Sequence, residues 1–499
     1  MQIPKFKDFF VEQDLERKDK PITVAIITKS NPKVKTQKAG QPNKKELTVA
    51  LIEKACKKKG FDCIIINTKY AIITGKDEEK NTLTVYNYDG KDSEHTFIGK
   101  DTVCITRAGA AEDEAGLSLI SAFQNSSAFM VNTRAAMLTC SNKLTSALLF
   151  EKFNIPTPRT AFITNEKNID DAVKLIGNKF PVIIKTLTGT QGIGVIKSES
   201  YESLVSTIQA LWKYDAELLI QEYMPTKFDV RTFVVDNKIF ASTKRIHSGY
   251  DFRSNTHRGA EAQPYKLSEE EKEVVLRASR ISKAYMVGVD HIIFNNKIHV
   301  LEINGSPGSG ADYEGYQYKD YYSDPEPTGR INGETLMSNF IDWVSKRNHW
   351  DRQALSEVGW LETVDITDVG KVRAKFDTGN GSKACALHAD EILEENKKII
   401  KWKYDGKTIT KPRHGTSEVY RANADGEEPS ETRPTVLMDI TFNGFTYKDI
   451  EVGLDSRPRS GSDLLVNRDL MRQMNVSVNP NRTFVQSKRM KPVEKKNGL

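Results

Sequence analysis

Several things are scarce in this 499-residue sequence, and each scarcity excludes something. No apolar run approaches the ~18 residues that a membrane-crossing helix needs, so no membrane span is expected. The opening stretch, MQIPKFKDFFVEQDLERKDK, is charged throughout and has no apolar centre, which argues against a secretory signal there. Cysteine is sparse: Cys56, Cys63, Cys104, Cys140 and Cys385 form no C-x-x-C pair, so neither a disulfide framework nor a thiolate metal site is expected. Scattered reduced thiols fit a cytoplasmic protein. A large charge of one sign is also missing. Seventy-three basic residues against 67 acidic ones leave a net charge of +6. Much of that excess sits in SKRMKPVEKKNGL, read as a solvated end. Such a balance gives no footing for a nucleic-acid partner. Internal repeats and low-complexity segments are absent as well.

What is present reads as a multidomain globular chain of mixed class, α/β then α+β then mainly β. Hydrophobic residues make up 38% and charged residues 28% of the sequence, and this length suggests about two to four domains. Residues 1–20 form a charged leader. In 21–135, ITVAIIT, ELTVALIEKACKKKG and FDCIIIN read as strand, helix and strand, which implies a parallel βαβ unit. A polar stretch with turns is expected over 75–100. DTVCITRAG then reads as a strand, and GLSLISAFQNSSAFMV as a helix and a strand. The first strand is not followed by a G-x-G-x-x-G run, so a dinucleotide fingerprint is excluded. Residues 136–348 read as α+β: a helix over SNKLTSALLFEKFNI with Ser141 as its cap, several strands, and a long amphipathic helix over 270–286. Residues 349–487 read as short strands joined by N-G and D-G turns. Residues 488–499 form the basic tail.

Two segments carry the chemistry. In KTLTGTQGIGVIK (185–197), Gly189, Gly192 and Gly194 let backbone N–H groups approach phosphates, and Lys185 ends the preceding strand, where it can place a point charge. By themselves such glycines are more often an ordinary hairpin loop. In GVDHIIFNNKIHVLEINGSPG, Asn295-Asn296 reads as a hairpin turn, with Asp290 on one strand and Glu302 and Asn304 on the other. Glu302 and Asn304 are two apart and share a face. Three oxygen ligands on adjacent strands suit Mg²⁺ (or Mn²⁺), and a carboxylate buried between HIIF and HVLEI without a partner would be costly.

The ordered set KLTSALLFEKFNIPTPRT, KTLTGTQGIGV, QEYM, DVRTFVV, KRIHSGYDFRSNTHRGA, GVDHI and LEINGSPG resembles the ATP-grasp ligases, in particular the RimK-type α-L-glutamate ligase group, from about residue 100 to about 310. The resemblance implies a pre-ATP-grasp domain followed by an ATP-grasp domain. It implies that Lys143 and Lys185, with Gly189, Gln191, Gly192 and Gly194, hold the phosphates of ATP, and that Glu222 and Tyr223 form the hinge at the adenine edge. Asp229 would take a ribose-side position. Asp290, Glu302 and Asn304 would hold Mg²⁺. Arg245 with Arg253, Ser254 and Asn255 would surround the transferred phosphoryl and the acyl group. The implied reaction activates a carboxylate as an acyl phosphate and captures it with an amine. Glutamate is the amino acid favoured, and the acceptor is a protein or peptide C-terminus or a small carboxylate. A homo-oligomer is expected.

The stretch EVGWLETVDITDVGKVRAKFDTGNGSKACALHADEI, with LLVNRDLM further on, resembles the retropepsin-like domain found beside RimK-type ligases and described as an ATP-dependent zinc protease. It departs from that pattern at Asn380, which replaces the common alanine after D-T-G, and at Asn467, which stands where glycine is usual and where asparagine would tolerate a left-handed backbone. The resemblance makes Asp377 a candidate catalytic aspartate. It would need a second acid, either its own copy across a two-fold axis or Asp455 or Asp463 in cis. His388 and His414 are a weaker metal alternative. The bland reading is that Asp377 holds a tight turn. Three functional readings follow: a ligase with an appended peptidase-like domain, a peptidase with a regulatory ATP-grasp half, and a binding protein with two degenerate sites.

Overall fold

The computed structural model describes residues 22–29, 44–77, 81–88, 91–107, 111, 113–189, 194–247, 261–319, 323–346, 350, 357–419, 431–455, 461–474 and 476–490. The chain divides into two compact units, Met1–Gln353 and Ala354–Leu499.

The first unit opens with β1 (Thr23–Thr28), α1 (Lys44–Lys58) and β2 (Asp62–Asn67), followed by three strands, β3 (Ile72–Asp77), β4 (Thr82–Tyr88) and β5 (Asp92–Ile98). Next come β6 (Thr102–Thr106), α2 (Glu114–Asn125) and β7 (Phe129–Val131). Strands β2-β1-β6-β7 form a parallel sheet. Its middle strands are buried, apart from Thr23, and rich in β-branched residues, as a sheet covered on both faces requires. The segment expected as a polar stretch with turns is instead an antiparallel β3-β4-β5 sheet. In it β4 alternates strictly, sending Leu83 and Val85 into a core with Phe97 and Phe123 while its other face stays wet. The polar face disguises such a strand in a composition count, but the period of two reveals it.

After β7 come α3 (Arg134–Ser141) and α4 (Lys143–Lys152). Ser141 ends α3 and does not cap α4. The cap is Asn142, whose Oδ1 accepts from the N–H groups of Leu144 and Thr145, both at 3.0 Å. A four-stranded antiparallel sheet follows, built from β8 (Thr160–Ile163), β9 (Val182–Thr186), β10 (Val195–Ser198) and β11 (Leu218–Glu222) in the order β10-β9-β11-β8. The apolar faces of α5 (Ile169–Leu175) and α6 (Tyr201–Trp212) cover one side of it.

The central sheet is built from β12 (Phe228–Val235), β13 (Lys238–Ile246), β14 (Glu261–Pro264), β15 (Met286–Phe294), β16 (Lys297–Asn304), β17 (Tyr313–Gln317) and β18 (Glu326–Ile331). Helix α7 (Glu269–Ser282) crosses it; it stops short of the expected residue 286 because Lys283 turns left-handed (φ 56°) and Met286 already starts β15. Helix α8 (Gly333–Val344) closes the unit. One core joins α1, α8, the parallel sheet and one end of the central sheet, and it includes Phe233, Val235, Phe340 and Ile341. On β12, Phe233 and Val235 lie in this core, while Asp229 and Arg231, on the same face by alternation, lie outside it.

The second unit is mainly β. Its strands are β19 (Glu357–Ile366), β20 (Gly370–Phe376), β21 (Cys385–His388), β22 (Glu391–Glu395), β23 (Ile399–Tyr404), β24 (Lys407–Pro412), β25 (Gly415–Val419), β26 (Glu431–Phe442), β27 (Phe445–Asp455), β28 (Leu464–Val466) and β29 (Ser477–Thr483), with α9 (Arg468–Met474) between the last two. The order β26-β27-β21-β28-β20-β19 closes on itself through a β19–β26 pairing. The resulting barrel and a separate β22-β23-β24 sheet share one core, which includes the fully buried Trp402 of β23. The buried Glu362 of β19 ties down the end of this unit. Its carboxylate accepts from the N–H groups of Gly359, Val485, Gln486 and Ser487 and from Ser487 Oγ.

Candidate active site

Strand pairing in the central sheet lines up a row of charged side chains. Arg231 on β12 faces Asp290 on β15, and Asp290 faces Glu302 on β16. On the other side of β12, Asp229 faces Arg245 on β13. The contacts follow this register. Arg231 grips Asp290 through Nε at 2.7 Å and Nη2 at 2.6 Å. Arg245 grips Asp229 through Nε at 2.7 Å and Nη2 at 2.5 Å, and its Nη2 also reaches Asp290 Oδ2 at 2.7 Å. Glu302 Oε1 lies 3.8 Å from Arg231 and its side chain is 41% exposed. Asp229, Arg245 and Asp290 are buried. Burial opposes the charge on Asp290, but the guanidinium groups of Arg231 and Arg245 outweigh it and hold the carboxyl well below the usual range. Arg245 is likewise opposed by burial and held protonated by its two carboxylates.

This network changes one part of the sequence reading. The buried charge of Asp290, which pointed to a cation, is met by two arginines whose forks occupy both carboxylate oxygens. Asp229, assigned a ribose-side role, gives both its oxygens to Arg245. The Asn304 Oδ1 accepts from Ser306 N–H at 2.9 Å. Among the described residues no three His, Cys, Asp or Glu side chains gather as a metal site. Of the three expected metal ligands, Glu302 and Asn304 are the two not held in an arginine fork. One or two carboxylates, with phosphates and waters completing the shell, is a coordination that suits Mg²⁺.

Opposite this row stands a pair of lysines. Lys143 is the first residue of α4, where a cation adds to the positive end of the helix dipole instead of relieving it. Its Nζ donates to Gly189 O at 3.3 Å, which ties the helix to the glycine loop. Lys185 is the fourth residue of β9. Its pKa is lowered to about 8, chiefly by burial; Lys143 adds to the lowering, and Glu302 and Asp290 oppose it. The Lys143 ammonium is also depressed, chiefly by burial, with Glu302 acting the other way. Two depressed lysines, one of them lowered further by the other, form a site that an anion would stabilise. Gly194 has φ +78°, and a Cβ there would come within 2.3 Å of Thr186 Oγ1, so the loop requires glycine at that position.

At the end of β11, Glu222 accepts from Arg159 N–H at 2.7 Å, Nε at 2.9 Å and Nη2 at 2.6 Å. Lys197 Nζ lies 4.8 Å from the centre of the Tyr223 ring. Of the expected site residues, Lys143, Lys185, Asp290 and Glu302 interact with one another, and Arg245 and Asp229 join them through Asp290. Gln191, Gly192, Arg253, Ser254 and Asn255 lie outside the described residues. Arg231 and Arg159 were missed as site residues. The signal for Arg231 was present in D-V-R, which places an acid and a base on one face of a strand.

In the second unit, Asp377 Oδ1 accepts from Gly379 N–H at 3.0 Å and Oδ2 lies 3.3 Å from Lys375 Nζ. The two acids suggested as cis partners are engaged elsewhere. Asp455 pairs with Arg433 at 3.0 Å, and Asp463 Oδ2 accepts from Arg373 N–H at 3.4 Å. His388 Nε2 meets Asp390 Oδ1 at 3.2 Å. Asn467 needs no left-handed backbone: its Oδ1 accepts from Leu470 N–H as a cap of α9, and its Nδ2 donates to Ser382 O and Lys383 O.

Comparison with known proteins assigns the family. Residues 140–315 match the model of the RimK-like ATP-grasp domain. A probable alpha-L-glutamate ligase of Shewanella loihica (strain ATCC BAA-1088 / PV-4) is 33% identical over 277 residues, covering 54% of this chain and 89% of the relative. One from Vibrio vulnificus (strain YJ016) is 36% identical over 206 residues, covering 41% and 68%. Among solved structures, D-alanyl-alanine synthetase A from Vibrio cholerae O1 biovar eltor str. N16961 gives a TM-score of 0.43 at 15% identity, covering 58% of this chain and 90% of that one. The ligase PsnB complexed with minimal precursor, Mg and ADP gives 0.41 at 15%, covering 57% and 89%. The chain belongs to the RimK-like ATP-grasp ligases. Enzymes of the ATP-grasp class use ATP and Mg²⁺.

Proposed function

We propose that the first unit joins the amine of an amino acid, with glutamate favoured, to a carboxylate acceptor through an acyl phosphate. The acceptor class is a protein or peptide C-terminus or a small carboxylate. The observation that carries this reading is the lysine pair facing the arginine–carboxylate row. A carboxylate cannot expel oxide, so it must first take a phosphoryl group, and that transfer is governed by positioning and charge. Lys143 and Lys185 would hold the phosphates from one side. Arg231 and Arg245, fixed by Asp229 and Asp290, would present positive charge from the other without having to reorganise. Glu302 and Asn304 would hold Mg²⁺, which when bound offsets charge on the phosphates. The relatives' description as probable alpha-L-glutamate ligases supports glutamate as the amine.

The test is release of ADP by the full chain with Mg²⁺, ATP, glutamate and a panel of carboxylate acceptors. Turnover should require both amine and acceptor. Lys185→Ala should lower it by about 10²–10³-fold, the effect typical of losing one charge-stabilising group. Turnover that is indifferent to glutamate and to every other amino acid would sink the reading. A peptidase with a regulatory ATP-grasp half, or a degenerate binder, would give no such amine dependence. For the second unit, the partners of Asp377 support a structural turn.

A further inference from the structure

The parallel sheet of the first unit ends in buried polar groups that packing does not explain. Strand β1 sits between β2 and β6, so the chain leaves it to one side and returns on the other. Crevices at the carboxyl ends of strands, where such a sheet reverses its order, are where ligands of α/β folds bind. Here the carboxyl ends carry Thr28, Thr68, Arg107 and Asn132, all buried. Asn132 is explained: it donates to Met286 O and Gly305 O and accepts from Met286 N–H.

Arg107 is different. It follows β6 directly, is 2% exposed, and its N–H is fixed on Ile27 O at 2.8 Å. Its Nη2 donates to Pro307 O at 2.8 Å, while Nε and Nη1 have no partner among the described residues. Burial alone acts on its pKa, lowering it to about 10, and no carboxylate offsets that. Beside Pro307, Ser306 Oγ is likewise buried and unpartnered. These groups lie next to the chemistry. Pro307 is three residues past Asn304, and a Cβ built on Gly288, the cross-strand neighbour of Asn304, would lie 2.9 Å from Pro307 and 3.8 Å from Arg231 Nε. A guanidinium buried with two donors unused is a costly arrangement unless an anion completes it.

We propose that Arg107, with Ser306 Oγ beside it, binds the α-carboxylate of the amino acid that supplies the amine. A planar carboxylate can bind the Nη1 end of the guanidinium, through Nη1 and the second N–H of Nη2. The phosphates belong to the lysine pair, which leaves a carboxylate as the anion for this second place. The α-carboxylate is one carbon from the amine, so fixing it fixes the nucleophile close to the arginine–carboxylate row. Arg107 is then a specificity-determining residue, and the assignment rests on the ligase reading above.

The experiment is calorimetric titration of L-glutamate and of its α-amide, isoglutamine, into the full chain with ADP and Mg²⁺. Wild type should bind glutamate about 10- to 100-fold more tightly than isoglutamine, as expected for a buried charge-assisted pair. Arg107→Gln should remove that preference while leaving ADP affinity unchanged. Arg107→Lys, which keeps the charge and risks less of the fold, should retain part of it. The proposal is overturned if Arg107→Gln, or Arg107→Lys should the glutamine variant not fold, keeps the full wild-type preference. It is also overturned if wild type binds both ligands alike while turning over ATP, and the ligase reading then survives. Preference lost with Arg107 in a chain that shows no ATP turnover would overturn the ligase reading and leave the carboxylate site standing.

Discussion

Lys185 is where titration and function meet. Its pKa of about 8 means that it holds its proton at neutral pH and loses it in mild alkali. The phosphate contact proposed for Lys185 needs the proton, so affinity for Mg·ADP should fall above pH 8, by up to about tenfold per unit. For the nucleotide-free chain the sign is opposite. The folded pKa lies below that of an unfolded lysine, so between pH 8 and about 10.5 the unfolded chain binds more protons and stability rises with pH. Titrating nucleotide affinity from pH 6.5 to 9.5 checks the first effect (roughly the span around the pKa). Lys185→Arg should flatten the alkaline limb, because a guanidinium stays charged there. Asp377 gives a second prediction at this scale. With its oxygens on Gly379 N–H and Lys375, the chain should cleave no glutamyl peptide above background. A cleavage activity that disappears in Asp377→Asn, seen by mass spectrometry of a peptide panel, would refute the turn reading. Individual residue types were legible from the sequence, whereas their partners were not. The sequence placed Asp290 among apolar neighbours correctly, but that Arg231 and Arg245 answer its charge depends on two strand registers that no local pattern encodes.

Among the elements, α4 shows how a short helix serves a site. Asn142 caps it, and Lys143 is its first residue. Asn142→Ala should cost about 1 kcal/mol of stability, as cap removal usually does. It should also weaken nucleotide binding more than a distant surface change of equal cost, because the fraying turn carries Lys143. Denaturant melts read beside nucleotide titrations would separate the two effects. A drop in stability with nucleotide affinity intact would show that the cap does not position the lysine. Strong periodicity and turn chemistry made many elements readable. The Asn295-Asn296 turn has both residues at positive φ (51° and 57°), as a tight hairpin demands. Elements with one wet face were harder to read: β4 and β5 hide their pattern behind Thr, Asn and His, so composition suggested loop where alternation builds strand.

For the whole molecule, the two units each own a core. The second unit's core draws all its members from Val358 onward, and the cores of the first unit use none of them. Calorimetric unfolding should therefore resolve two transitions, and Mg·ADP at a hundred times its Kd should raise one of them by about 2.7 kcal/mol. Glu362→Ala should lower only the other, since that carboxylate gathers donors solely within the second unit. A single transition that moves as one under both perturbations would show that the units do not unfold separately. The switch from helical spacing to short alternating strands is a change of period, and it falls near the division after Gln353. The closure of the second unit into a barrel was not readable, since it hangs on the two-residue pairing of β19 with β26.

Strand β12 carries a wider consequence. One of its faces is split between Asp229 and Arg231, which belong to the charged row, and Phe233 and Val235, which hold the core. A slip of one residue would turn Val230 and Thr232 toward the chemistry and push an acid and a base into the interior. An impostor state, well packed yet chemically blank through misalignment, is therefore denied to this chain. The aromatic ring of Phe233 acts as proofreader for the guanidinium two places before it.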